Sequence, residues 1–319
     1  MRLALLTAVA AAFALAGPVL AQDETQDWCT VAIMADASGD PATAVEAYTR
    51  CLETPGLEAE YRGMFLHQRG LAHDALGDPG RAVEDFTAAL PLVTEPDKTF
   101  SARGLARAQL GLYDKAIYDF TQAITADPHG AGNWYLRGIL EIETGDYEAA
   151  LADMDQAVAL DPSNVMALAG RAELKGRMGD RGGAIDDYGL LIRMEPRFAP
   201  AYNGRAWHRY IAGIDYSEAL QDIEIGMALE PDNTDFVDTQ AHLLSALGRP
   251  EEALDSFLHA AELGGPERIL WYQEELAAKG YLDGKPSGLL DEDTREAFEA
   301  CVRDDCRLLA DSDMTQVPE

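Results

Sequence analysis

Arg69, Arg103, Arg137, Arg171 and Arg205 recur at an interval of 34 residues, and an aspartate follows each of them. Asp85, Asp119, Asp153 and Asp187 stand sixteen residues on, and Asp222 seventeen. A guanidinium fork and a carboxylate make paired, charge-assisted hydrogen bonds. A row of arginines could instead hold an acidic ligand. Each arginine has an acid at the same register, however, so the ten residues read as a structural ion-pair ladder. As surface pairs they would contribute about 0–1 kcal/mol each, and more if partly desolvated and bidentate.

Little else in the chain has the types and spacing for chemistry. The six histidines (67, 73, 129, 208, 242 and 259) follow no metal-ligand spacing. His67 and His73 are six apart and point from different faces of a helix. The stretch "GKPSG" lacks the strand–loop–helix setting of a phosphate loop, and no GxSxG or HExxH occurs. Adjacent acids such as Asp186 and Asp187 read as a solvated face plus the ladder. These readings point away from an enzyme, with no catalytic residue, cofactor or metal expected.

The elements that would hold the ladder repeat with it. Ala131 to Asn164 reads as two amphipathic helices around a turn at Gly145-Asp146, closed by Asp161-Pro162. The same pattern, with alanine and an aromatic at fixed offsets, gives units of about 25–62, 63–96, 97–130, 131–164, 165–198, 199–233 and 234–266. The sixth unit has one inserted residue before Ala219. In a hairpin turning near its fifteenth position, the seventh and twenty-third positions lie at one height. The arginines therefore meet their aspartates within a hairpin or between neighbours.

This unit resembles the tetratricopeptide repeat, a helix–turn–helix of the same length with small residues where helices touch. The resemblance covers roughly residues 25–266. It implies an all-α fold, a right-handed solenoid whose hairpins bury their apolar stripes by stacking. The arginine departs from the family's usual aliphatic. In that family peptides lie in a concave groove lined by the first helix of each unit. Carried over by position, the groove candidates are Tyr135, Ile139, Ile142, Glu173, Arg177, Asn203, Trp207 and Tyr210. "AWHRY", Ala206 to Tyr210, is the most suggestive cluster, because tryptophan and tyrosine are common interface anchors. The family's asparagine–lysine carboxylate clamp is absent. The implied partner is another protein or peptide.

The final stretch, 267–319, departs from the repeat and ends in an acidic tail. Tyr272, Gln273, Leu276, Gly280, Tyr281, Gly284, Gly288, Thr294 and Ala297 keep a register that resembles a helical peptidoglycan-binding domain. Ser287 stands where that family has aspartate, and Asp291 where it has glycine. Cys301-Val302 replace a phenylalanine–glutamine pair, so the expectation is a mini-fold held by a disulfide in place of a core ring. Gly280, Tyr281, Gly284, Gly288 and Thr294 form a wall-binding-like loop, and the segment is either a peptidoglycan adaptor or a cap on the last hairpin.

Four cysteines allow three pairings, and locality favours Cys29–Cys51 and Cys301–Cys306. The latter two are five apart, so they pair only if the helix breaks near Arg303-Asp304-Asp305. The opening "MRLALLTAVAAAFALAGPVLAQ" has one base, an apolar run and small residues before Gln22, the pattern of a signal peptide over residues 1–21. The expected location is therefore periplasmic or secreted. No other segment is apolar enough to span a membrane. The formal charge of −31 repels phosphate backbones and anionic lipid, so nucleic acid is excluded as a partner.

Overall fold

The computed structural model describes residues 27–304 and Leu308. Residues 1–21, read above as a signal peptide, Cys306 and the acidic tail lie outside the described residues. Fifteen helices are described, and no strand occurs among the described residues. The chain forms two compact units, Met1–Asp153 and Met154–Glu319, and the division falls within a helix.

The first unit holds α1 (Trp28–Ser38), α2 (Pro41–Leu52), α3 (Ala59–Ala75), α4 (Pro79–Ala89), α5 (Asp97–Gln109), α6 (Tyr113–Ala126), α7 (Ala131–Thr144) and the start of α8 (Tyr147–Leu160). The second holds the remainder of α8, then α9 (Val165–Arg177), α10 (Arg181–Met194), α11 (Ala199–Ala212), α12 (Tyr216–Leu229), α13 (Thr234–Ala246), α14 (Pro250–Ala278) and α15 (Glu292–Arg303).

Each hairpin turns the same way for a local reason. The first helix ends at a glycine with φ between 70° and 84°: Gly39, Gly77, Gly111, Gly145, Gly179, Gly213 or Gly248. Left-handed backbone costs a residue with a Cβ, so glycine ends the helix cheaply. In four hairpins an aspartate then caps the second helix, as Asp40 does through the Thr43 amide and Asp180 through the Gly183 amide, while Leu112 and Arg249 hold that place in two others. The inserted residue of the sixth unit disturbs this arrangement. Asp215 takes φ 49°, the one left-handed non-glycine described, and its side chain makes no capping bond.

The second helices bury a repeated alanine–large–alanine stripe, such as Ala82, Phe86 and Ala89, or Ala150, Met154 and Ala157. Small residues opposite admit the large ones. A Cβ on Gly104 would come within 3.1 Å of the Phe120 ring, and one on Gly70 within 2.7 Å of Phe86. At the start of the first unit Cys29 and Cys51 are joined as a disulfide between α1 and α2. Burial of Tyr48, Phe65 and Ala32 completes that hairpin.

Helix α14 is two helices merged across Gly265, whose φ of 64° and ψ of −159° precede Pro266. The chain beyond Pro266 packs back on the last hairpin. Phe298 is fully buried, stacks on Phe257 at 5.8 Å and meets Tyr272 edge-on at 5.1 Å. The expectation of a mini-fold without a core ring is therefore corrected. The ring sits one helical turn before Cys301 and faces the same core. Helix α15 ends at Arg303, and Cys301 is buried and is not a free thiol.

Candidate functional site

The ladder residues meet within hairpins. Arg69 donates from Nε and Nη2 to the two oxygens of Asp85 at 2.8 and 2.6 Å. The corresponding distances are 3.0 and 2.7 Å for Arg103–Asp119, 2.6 and 2.8 Å for Arg137–Asp153, and 2.8 and 2.7 Å for Arg171–Asp187. Arg205 reaches Asp222 at 2.8 and 2.5 Å, so the extra residue in that unit is absorbed in the turn.

A third nitrogen ties backwards to the preceding hairpin. Nη1 of Arg103 donates to Thr87 Oγ1, that of Arg137 to Thr121 Oγ1, and that of Arg171 to Asp155. These three arginines, and Arg69 through Thr49, thus join their own second helix to the one before it. Of the two cases, the pairs are the desolvated, bidentate one: the aspartates are 8% exposed or less, and Asp119 is fully buried. An unpaired charge left there is far costlier than one at the surface.

One turn after each arginine stands a further group that sequence reasoning missed. Arg107 and Arg209 donate to Asp119 and Asp222 at 2.7 and 2.8 Å, and Lys175 to Asp187 at 2.9 Å. His73 lies 3.9 Å from Asp85. In α7 the same place holds Glu141, 3.6 Å from Arg137 Nε. The interval of four residues after every ladder arginine carried this signal.

The groove candidates fall in both units. In the first, Tyr135, Ile139 and Ile142 are half-buried on α7. In the second, Glu173 and Arg177 are exposed on α9, paired at 3.0 Å, and the Tyr188 hydroxyl donates to Glu173. Burial, and then Glu173, push the Tyr188 phenol up. On α11, Asn203 and Trp207 are half-buried, and the Asn203 Oδ1 atom is buried with no hydrogen-bond partner among the described residues.

Tyr210 is a correction. It is 3% exposed and belongs to the core, its ring 5.3 Å from His242 and 6.1 Å from Tyr216. Helices α12 and α13 close over this end of α11 through Tyr216 and His242, so the position that family register assigns to the groove is filled by packing. Trp207 lies against the same cluster, 5.7 Å from His242, with part of its ring in solvent.

The glycine loop is organised from inside by Gln273, itself 2% exposed. Its Oε1 accepts from the amides of Ser287 and Gly288 at 2.7 and 2.8 Å. Its Nε2 donates to Leu289 O, Thr294 Oγ1 and Ser287 Oγ. Thr294 also bonds Asp291, which caps α15. Gly288, at φ 71°, passes so close to Pro266 that a Cβ would meet its carbonyl at 3.2 Å. Gly280 and Gly284 are exposed at the turn, and Tyr281 reaches Asp304. Several polar groups of the loop are thus spent on its own fold.

The tetratricopeptide repeat family matches residues 67–131, 101–165 and 135–174. Among solved structures, a tetratricopeptide repeat protein from Parabacteroides merdae is 22% identical with a TM-score of 0.55, over 75% of this chain and 94% of that one. YrrB, described as a TPR protein with an unusual peptide-binding site, is 18% identical with a TM-score of 0.53, over 61% of this chain and 97% of that one. At these identities the likeness is one of fold. No curated protein matches the chain.

Proposed function

From the premise that this chain carries tetratricopeptide repeats and their helical-hairpin fold, we propose that it is an exported, non-enzymatic scaffold. It holds a peptide or protein segment on the first-helix face of α9 and α11. Such repeats generally act as interaction scaffolds, and one relative by fold, YrrB, is a TPR protein with an unusual peptide-binding site. The observation that carries the reading is the surface around Trp207. A half-buried indole stands one turn from Asn203, whose carbonyl oxygen lacks a hydrogen-bond partner among the described residues, with the exposed Glu173 and Arg177 on α9. An aromatic anchor beside an exposed ion pair and an unpartnered amide oxygen is the composition of an interface hot spot.

Export rests on the signal pattern at residues 1–21 and agrees with a disulfide in the first hairpin, since disulfides persist in oxidising compartments. No described helix is long and apolar enough to cross a membrane.

The test is selection from a displayed peptide library with residues 22–319, followed by titration of the selected peptides. Trp207→Ala should weaken their binding about tenfold or more, as loss of an anchor does. Tyr118→Ala, which removes an exposed ring on a second helix, should leave it unchanged. Equal affinity of the Trp207 variant would send the site elsewhere.

A second reading, a cell-wall adaptor, rests on the resemblance of residues 267–319 to a peptidoglycan-binding domain. The internal use of Ser287, Gly288 and Thr294 by Gln273 favours the cap over the adaptor. Co-sedimentation with isolated sacculi, comparing the chain to 319 with one ending at Gly265, separates the two.

A further inference from the structure

Four ladder aspartates sit between an arginine fork and a second basic side chain: His73, Arg107, Lys175 or Arg209. Asp153 has Glu141 instead. Arg137 is already spent, with Nε and Nη2 on Asp153 and Nη1 on the Thr121 hydroxyl. Glu141 is 9% exposed, its Oε2 is buried without a hydrogen-bond partner among the described residues, and its Oε1 lies 3.6 Å from the same Arg137 Nε that holds Asp153 Oδ2 at 2.6 Å. One cation therefore serves two buried carboxyl groups.

The groups facing Glu141 are few. Helix α7 supplies Arg137, α8 supplies Asp153 and, at its start, Asp146, and α6 reaches the cluster through the uncharged Thr121 hydroxyl on Arg137. Two carboxylates so close and so desolvated do not both ionise readily.

We propose that the α7–α8 hairpin is a proton-binding element. Glu141 as the neutral acid donates its proton in a hydrogen bond to the Asp153 carboxylate. As pH rises it releases that proton to solvent, leaving two carboxylates on one arginine and loosening α7 from α8. The inference concerns the chain's own response to protons and goes beyond the groove reading. Burial, and then the Asp153 carboxylate, raise the Glu141 carboxyl from 4.5 to about 7 against the pull of Arg137. The folded state thus holds a proton that the unfolded chain gives up. Glu141 costs nothing below the unfolded value, weakens the hairpin as pH climbs from 4.5, and reaches its full cost above about 7.

The experiment is hydrogen exchange of residues 22–319, corrected for intrinsic rates, from about pH 5.5 to about pH 8. Protection of α7 amides should fall about threefold or more across that range in the native chain and stay level in Glu141→Gln. Amides of α5, where Arg107 holds the equivalent place, should stay level in both. An equal fall in Glu141→Gln overturns the proposal. If that variant folds poorly, the native chain still decides by carboxyl-carbon titration of Glu141. A midpoint near 7 supports the proposal, and one near the ordinary 4.5 overturns it.

Discussion

Asp119 shows what the ladder does at the residue scale. It is fully buried and receives Arg103 twice and Arg107 once. Removing Asp119 strands two cations, so Asp119→Ala should destabilise the first unit by about 3–5 kcal/mol, as breaking buried pairs does. Arg103→Ala in the Asp119→Ala background should then cost little, which a denaturant-unfolding double-mutant cycle would show as strong coupling. Equal costs for Arg103→Ala with and without Asp119 would remove the ladder from the architecture. The pairing of Arg103 with Asp119 could be read from sequence because the interval of sixteen recurs. Burial could not, since it depends on the hairpins stacked on either side. Thr87 and Thr121 stand sixteen residues before the arginines they accept from, so that arm was present in the sequence but carried no charge to draw notice. Tyr210 was misassigned for the opposite reason: its register is that of a groove residue, and tertiary packing overrides register.

At the element scale the glycine loop is the clearest case. "GYLDGKPSGLLDEDT" contains little that could bury itself, yet one glutamine from α14 holds its middle, at Ser287 to Leu289, and its last residue, Thr294. Gln273→Ala would leave the amides of Ser287 and Gly288 without their acceptor, at about 1–3 kcal/mol per unsatisfied buried group. Exchange protection of α15 and the residues after Gly265 should collapse in that variant while α9 to α12 keep theirs. Unchanged protection in α15 would mean the aromatic contacts of Phe298 hold the segment alone. The family resemblance contained the glutamine and the glycines, so their register was legible. Their partnership was not, because it joins a helix to a loop fourteen residues on. The ring of the last helix was sought at Cys301, whereas Phe298 supplies it on the same helical face. Turn glycines were legible by period, and the exception, Asp215, marks where the insertion is taken up.

For the whole molecule, repeat arrays are weakest where a hairpin has a neighbour on one side only. Here the first hairpin carries the Cys29–Cys51 bond, and the last is covered by Tyr272, Phe298 and Val302. Both ends are secured by devices that the repeat itself does not contain. That leaves the first-helix faces between them as the surface on which a scaffold would act. Hydrogen-exchange footprinting of residues 22–319 bound to a library-selected peptide tests this most directly. New protection is expected on α9 and α11, around Glu173, Asn203 and Trp207. Protection confined to residues 280–294, with α9 and α11 unchanged, would contradict it and make the terminal segment the binding module.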